Sequence, residues 1–231
     1  MKLMVQFPTR GRPNQFLDCF KLYVHNLSGN NDVFFNINCD TNDTSMNNDV
    51  IKNEIFSIYN KCIINFNNNE TKIDAINNNI NDKSFDVILN ASDDMNPQVK
   101  EYDEEIRKGF EEYFADYDGV LHFNDGVQGP VLNTLCILGK PYYERFGYIY
   151  HPDYKCVYCD NEFMEISRIL KKSIYIDKLI IKHDHVTVYD SINYGKFDET
   201  HRSGSCKESR DQSVFQRRRN LRFPQIKITD D

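Results

Sequence analysis

Phe85-Asp86-Val87-Ile88-Leu89-Asn90-Ala91-Ser92-Asp93-Asp94-Met95-Asn96-Pro97 is the stretch whose reading decides the fold. Phe85 to Asn90 has the length and apolar content of a buried strand. It runs directly into Ser92-Asp93-Asp94. In open α/β sheets, ligands bind beyond the carboxyl ends of the strands. Adjacent carboxylates in such a place repel one another unless a cation joins them. A divalent ion held by one or two carboxylates and by substrate phosphates is the usual solution. Taken without its surroundings, the segment reads as an ordinary loop before a helix, where Asp and Asn are common. The residues beyond it predict a helix, with Asn96 as cap and Pro97 in the first turn, where a missing N–H costs nothing. Val99, Tyr102, Ile106, Phe110, Tyr113 and Tyr117 recur three or four apart along it.

The same alternation extends outward in both directions. Strand patterns at Lys2–Phe7, Val33–Cys39, Cys62–Phe66 and Gly119–Phe123 are separated by helical stripes. One of these follows Pro13-Asn14 and carries Phe16, Leu17, Phe20, Tyr23, Val24 and Leu27. Others span Met46 to Tyr59 and Thr71 to Ile80. Strand–helix alternation of this kind predicts a mostly parallel α/β sheet with helices on both faces. After Asn124 the pattern predicts a strand at Val131–Leu138, helices at Pro141–Phe146 and Asn161–Leu170, and a strand at Ser173–Ile181 that ends near His183-Asp184-His185. Residues 193–231 are polar and basic and largely lack a period. They read as a loop or tail, and as a candidate lid, after a single domain of residues 1–192.

Composition narrows the function. The 231 residues carry a net charge of −7 and are 40% hydrophobic. That suits one domain with a sizeable core, and it argues against a nucleic-acid binder, which needs a basic footprint. No apolar run reaches the roughly 18 residues of a membrane span. The first residues do not read as a signal peptide, so the seven cysteines are expected as reduced thiols in a cytoplasmic setting.

Phe7-Pro8-Thr9-Arg10-Gly11-Arg12-Pro13 follows the first strand. It is neither a P-loop nor GxGxxG. It nevertheless offers backbone donors, a hydroxyl and guanidinium groups at a helix start, all suited to a nucleotide.

Together these pieces resemble the GT-A glycosyltransferases, with their Rossmann-like sheet, and among them the family-2-like nucleotide-sugar transferases. The opening loop, with Pro8, Thr9, Arg10 and Arg12, looks like that family's nucleotide-binding loop. Asp40 stands where the family holds the base or ribose. Lys72, Ala75 and Asn79 are similar to its Lys-x-x-Ala-x-Asn element. Asp93-Asp94 looks like its DxD-type metal motif, and Cys159-Asp160-Asn161-Glu162 like its later acidic motif. The resemblance covers roughly residues 1 to 190. Asn90-Ala91-Ser92 replaces the commoner first Asp of the metal motif, which puts the weight on Asp94. Cys159 stands where many members carry Glu.

The resemblance implies transfer of a sugar from a nucleotide-diphosphate sugar, a UDP-sugar foremost, to a glycan, lipid or protein acceptor. It implies Mn²⁺ or Mg²⁺ at Asp94 with His183 or His185, and substrate contacts from Asp93 and Glu162. Asp160 is the candidate general base if the reaction inverts the anomeric centre. Its competing role is that of a helix cap. Of Arg202, Lys207, Arg210 and Arg217-Arg218-Arg219, one or two are candidates to clamp the donor's diphosphate. Three other readings remain open. One is a nucleotidyltransferase that makes nucleotide sugars. Another is an interaction module with zinc held by Cys156, Cys159, His183 and His185. The third is a non-catalytic relative that only binds.

Overall fold

The computed structural model describes residues 1–184 and 208–226. The chain begins β1 (Lys2–Pro8), α1 (Pro13–His25), β2 (Asp32–Asp40), α2 (Asp49–Ile58), β3 (Cys62–Asn67) and α3 (Lys72–Asn77). It continues β4 (Val87–Asn90), β5 (Met95–Pro97), α4 (Tyr102–Tyr113), β6 (Val120–Asn124), β7 (Ile137–Gly139) and α5 (Lys140–Glu144). It closes with α6 (Cys159–Ile169), β8 (Ser173–Leu179), β9 (Ile181–His183) and α7 (Glu208–Asn220).

Seven strands form one sheet in the order β3-β2-β1-β4-β7-β6-β8. All run the same way except β7, which is antiparallel to both β4 and β6. The expectation of a mostly parallel sheet with helices on both faces therefore holds. On one face, Phe16, Phe20 and Tyr23 of α1 and Ile106 and Phe110 of α4 pack on Leu3, Val5 and Phe35. On the other, Ile73 and Ile76 of α3, Tyr142 of α5 and Phe163 of α6 pack on Met4, Ile88 and Leu138. Alternate residues of β1 and β4 thus serve opposite faces, as the two-residue period of a strand requires. Of the second face, Gln6 at the end of β1 is polar and fully buried. Its amide donates to the carbonyls of Ile76 and Asn78, and its oxygen accepts from Asn36 at 2.7 Å, so the desolvated groups are satisfied.

Three local expectations change. Asn96 and Pro97 do not start a helix. Met95–Pro97 forms the two-stranded ribbon β5–β9, with Met95 opposite His183 and Pro97 opposite Ile181. Pro is tolerated at the edge of so short a ladder, because it has no N–H to lose. The helix starts later, at Tyr102, after Glu101 in a left-handed conformation (φ 61°). The strand expected at Val131–Leu138 shrinks to Ile137–Gly139. The residues before it are held in a loop by the buried carboxylate of Asp125. It accepts from the N–H groups of Val127, Gln128 and Gly129 and from the Thr134 hydroxyl. Such side-chain bonds offer the backbone an alternative to a ladder. Third, the tail is not all loop: Glu208–Asn220 is helical and packs against α6.

The described cysteines are all free thiols. No helix among the described residues is long and apolar enough to cross a membrane.

Candidate active site

Beyond the carboxyl ends of β1 and β2 the chain turns to helices, and beyond β4 to the ribbon strand β5; these turns carry most of the expected residues. Pro8 ends β1. Thr9 leaves it with its N–H still bonded to the Asn38 carbonyl, at 3.0 Å. Its hydroxyl faces the Asp93 carboxylate at 3.4 Å, and Arg12 donates to the same carboxylate at 3.1 Å. The amide of Gln15 reaches the Asp93 carbonyl at 3.1 Å. Asp93 therefore ties the first loop to the end of β4. Burial pushes its carboxyl up; Arg12 opposes the rise, and the neighbouring Asp94 charge adds to it.

Arg10 pairs with Asp40 at the end of β2. Asn69 donates to the same carboxylate at 2.7 Å. Gly11, with φ 71°, is in the left-handed region where glycine is at ease, and its N–H reaches Asp43 at 2.6 Å. The first loop is thus anchored to β2 and to β4, with Arg10 more than half exposed between them.

Asp94 has other company. The Ser92 hydroxyl donates to its carboxylate, and Nε2 of His183 lies 3.6 Å from its other oxygen. The pairing of β5 with β9 makes this possible. Met95 faces His183, and the Asp184 N–H donates to the Asp94 carbonyl at 2.8 Å. Burial would raise the Asp94 carboxyl. The His183 imidazole, the Lys72 charge and the Ser92 hydroxyl outweigh it and hold the carboxyl far below the usual carboxylate range.

Lys72 opens α3, whose cap is Thr71, with a hydroxyl that accepts from the Asp74 N–H at 3.2 Å. Desolvation works against the Lys72 charge, but Asp94, Cys156, Cys159 and Asp160 together raise its pKa. Asp160 is the second residue of α6, half-buried, with Oδ1 accepting from the Asn161 N–H at 2.9 Å. It is not the helix cap: Tyr158 precedes the helix, in a left-handed conformation (φ 60°) and with no side-chain cap. Burial raises the Asp160 carboxyl, only partly offset by the Asn161 N–H and by the charges of Lys72 and His183. The structure thus gathers Asp94, His183, Lys72 and Asp160 into one electrostatic neighbourhood, beside the Arg12–Asp93 loop.

Glu162 is placed elsewhere. It is buried, and its carboxylate accepts from Tyr154 at 2.7 Å, from Arg218 at 2.7 and 3.0 Å, and from Gln225 at 2.8 Å. A carboxylate so occupied is not offered to a substrate. Two positions from Asp160, it points to a different side of the helix. The described arginines that were candidates to clamp a diphosphate lie on α7, Arg218 on Glu162 and the rest with surface partners of their own. Arg210 reaches the Asp153 carbonyl, Arg217 pairs with Asp153 at 3.1 Å, and Arg219 with Glu165 at 3.0 Å. His185, Arg202 and Lys207 lie outside the described residues. Sequence reading missed Ser92, which holds Asp94, and Asp125. The Asp125 carbonyl accepts from the His183 N–H at 2.9 Å and so helps fix β9. A hydroxyl two residues before an acid was the only signal of the first.

Among the described residues, no group of three or more His, Cys, Asp or Glu side chains converges to hold an ion without further donors. Cys156, Cys159 and His183, the described members of the expected zinc set, form no such group. The arrangement remains consistent with a site in which the protein gives one carboxylate and one imidazole and a diphosphate completes the shell, a donor set that suits Mn²⁺ or Mg²⁺.

No family model matches the sequence, and no curated protein does. Solved structures do. The mannosyltransferase PcManGT from Pyrobaculum calidifontis, in complex with GDP-Man and Mn²⁺, matches over 81% of this chain with a TM-score of 0.66 and 9% identity. TarS of S. aureus matches over 80% with a TM-score of 0.57 and 13% identity. Residues 1–349 of TarS in complex with UDP-GlcNAc match over 79% with a TM-score of 0.56. The chain spans 58% of the mannosyltransferase and 37% of the longer TarS chain. The architecture shared with these structures shows that this chain has a GT-A-like, Rossmann-like α/β fold.

Proposed function

We propose that the protein transfers a sugar from a nucleoside-diphosphate sugar, a UDP-sugar foremost, to a hydroxyl of a glycan, lipid or protein acceptor. The observation that carries this reading is the meeting of Asp94 and His183 across the β5–β9 ribbon, with Lys72 and Asp160 in electrostatic reach. The ligands of the structural neighbours, GDP-Man with Mn²⁺ and UDP-GlcNAc, support it.

The residues divide the work as follows. The loop of Thr9, Arg10 and Arg12, with Asp40, receives the nucleoside; Arg10 can exchange Asp40 for the ligand because it is largely solvent-facing. Asp94 and His183 would hold Mn²⁺ or Mg²⁺, which when bound neutralises charge on the diphosphate. Lys72 adds a fixed positive charge beside the same oxygens. Asp160 accepts the proton of the acceptor hydroxyl as its oxygen attacks the anomeric carbon. The bond from that carbon to the diphosphate oxygen breaks, and its electron pair leaves with the nucleoside diphosphate. Direct attack of this kind inverts the anomeric centre. A carboxyl raised by burial is the better base for this step, because it is nearer in pKa to the operating pH.

The test is nucleotide release from nucleotide sugars by chelator-treated protein, with Mn²⁺ added back, for wild type and Asp94→Asn. Loss of a contribution worth several kcal/mol should lower turnover by at least about 100-fold in Asp94→Asn, with the circular dichroism unchanged. Equal activity of the two proteins would refute the metal role.

A further inference from the structure

The helix α7 lies far along the chain from Asp94 and Lys72, yet its inner face grips the segment that leads into Asp160. Asp211, Val214, Phe215 and Arg218 form this face and are all buried. Asp211 is fully buried, and its carboxylate accepts from three successive backbone N–H groups: Lys155 at 3.1 Å, Cys156 at 2.8 Å and Val157 at 3.0 Å. Arg210 donates to the same carboxylate at 2.9 Å. One turn further, the Phe215 ring lies 5.8 Å from that of Tyr158, the residue whose left-handed conformation opens α6. Two turns from Asp211, Arg218 makes its two-pronged contact with Glu162 inside the first turn of α6. The segment before Asp160 and the turn that contains it are therefore clasped from one helix.

A turn of consecutive N–H groups with one buried acceptor is a high-stakes arrangement. Without the carboxylate, three donors lose their partner in a place short of water. The segment would then relax, and Asp160 would move with it. Misplacement of a reacting group by about 1 Å typically costs about 100-fold in rate.

We infer that α7 is a positioning element for the reaction: Asp211, and Arg218 through Glu162, hold residues 155–162 so that the Asp160 carboxylate meets the acceptor. The inference rests on Asp160 being the base. It differs from the expectation that the basic C-terminal residues clamp the donor, because it predicts an effect on turnover with little effect on donor affinity.

The experiment uses the full chain with Asp211→Asn, Asp160→Asn and the double variant. Turnover, UDP affinity and amide hydrogen exchange are measured on each. Asp211→Asn keeps the shape and one acceptor oxygen, but it removes the negative charge that three N–H groups and Arg210 share and sets an amide donor against one or other of these donors. Exchange at 155–161 should speed up while exchange at 88–95 does not. Turnover should fall about 10- to 100-fold, with UDP affinity within about threefold of wild type. In the Asp160→Asn background, Asp211→Asn should cost no further turnover, because a residue acting through another is not additive with it. A merely structural role predicts additive losses or a loss of UDP affinity, and either would overturn the inference, as would unchanged exchange at 155–161. Normal turnover in Asp160→Asn would instead defeat the proposed base, a distinct result. If Asp211→Asn proves too unstable to purify, Phe215→Leu loosens the same helix by packing only and is held to the same outcomes.

Discussion

Asp93 and Asp94 are adjacent, yet their partners differ: Asp93 is structural, and Asp94 is the proposed metal ligand. Asp93 is spent on Arg12 and Thr9 and fastens the first loop. Asp94 faces His183 and is held ionised by its neighbours, as the proposed role requires. Asp160 is the counterpart whose charge the fold disfavours, and this has a measurable sign. Its folded pKa is raised above the unfolded value of about 3.9, so the folded state binds the proton more readily. No penalty exists below about pH 3.9; the penalty grows as pH rises toward the folded value and is complete above it. At pH 7 Asp160 therefore costs stability, and Asp160→Asn should melt above wild type while its turnover falls about 10²–10⁴-fold. The Asn keeps an acceptor for the Asn161 N–H, so no hydrogen bond is lost. A lower melting point, or near-normal turnover, would count against the base assignment. The pH profile of turnover should fall on the acid side at a pH above the ordinary carboxylate range.

At the scale of elements, the β5–β9 ribbon is what makes Asp94 and His183 neighbours, although 88 positions separate Asp184 from the Asn96 it contacts. The sequence signals for a helix at Asn96-Pro97 were sound locally, and long-range pairing overrode them. The strands and helices of the first 90 residues were legible because apolar period and burial coincide there, as in α1 with Phe16, Phe20 and Tyr23. The position of Asp160 beside Lys72 was legible only through the resemblance. Glu162 was misread because its occupant, Arg218, sits in a helix whose inner face mixes Asp211 and Arg218 with Val214 and Phe215. A charged residue on the buried stripe erases the hydrophobic period that would announce a helix. The reversed strand β7 was misplaced because it is only three residues long, wedged between β4 and β6. Its last residue gives a test. A Cβ on Gly139 would lie 1.7 Å from the Tyr117 carbonyl oxygen, a backbone atom that cannot swing aside. Gly139→Ala should cost at least about 1–3 kcal/mol, with a melting point lower by roughly 2–4 °C per kcal/mol. An unchanged melting point would mean that β7 does not pack against the Tyr117 turn.

For the whole molecule, one sheet with a core on each face sets how ligand binding is felt. The proposed site lies beyond the carboxyl ends of β1, β2 and β4, and its anchors belong to both faces: α1 and the first loop on one, α3 and α6 on the other. A ligand that spans the first loop, Asp94 and Lys72 therefore ties together elements that must separate when the protein unfolds. It should raise the melting point of the entire domain and not merely order a loop. At a free ligand concentration of 100 times its dissociation constant, stabilisation is about 2.7 kcal/mol. At roughly 2–4 °C per kcal/mol for a chain of this size, the melting point should rise by about 5–11 °C. The proposal divides this shift into two parts. UDP in the presence of a chelator gains only the first loop, Asp40 and Lys72. UDP with Mn²⁺ also gains Asp94 and His183. Wild type should therefore show a small shift with UDP and a larger one with UDP and Mn²⁺, whereas Mn²⁺ added to the protein without nucleotide should give little, since one carboxylate and one imidazole make a weak site. Asp94→Asn should retain the nucleotide shift and lose the metal increment. Arg10→Ala should do the opposite, shrinking both UDP shifts while Mn²⁺ still adds to the smaller one. If Mn²⁺ adds the same increment to Asp94→Asn as to wild type, the ion binds elsewhere, and the assignment of Asp94 and His183 as its protein ligands fails.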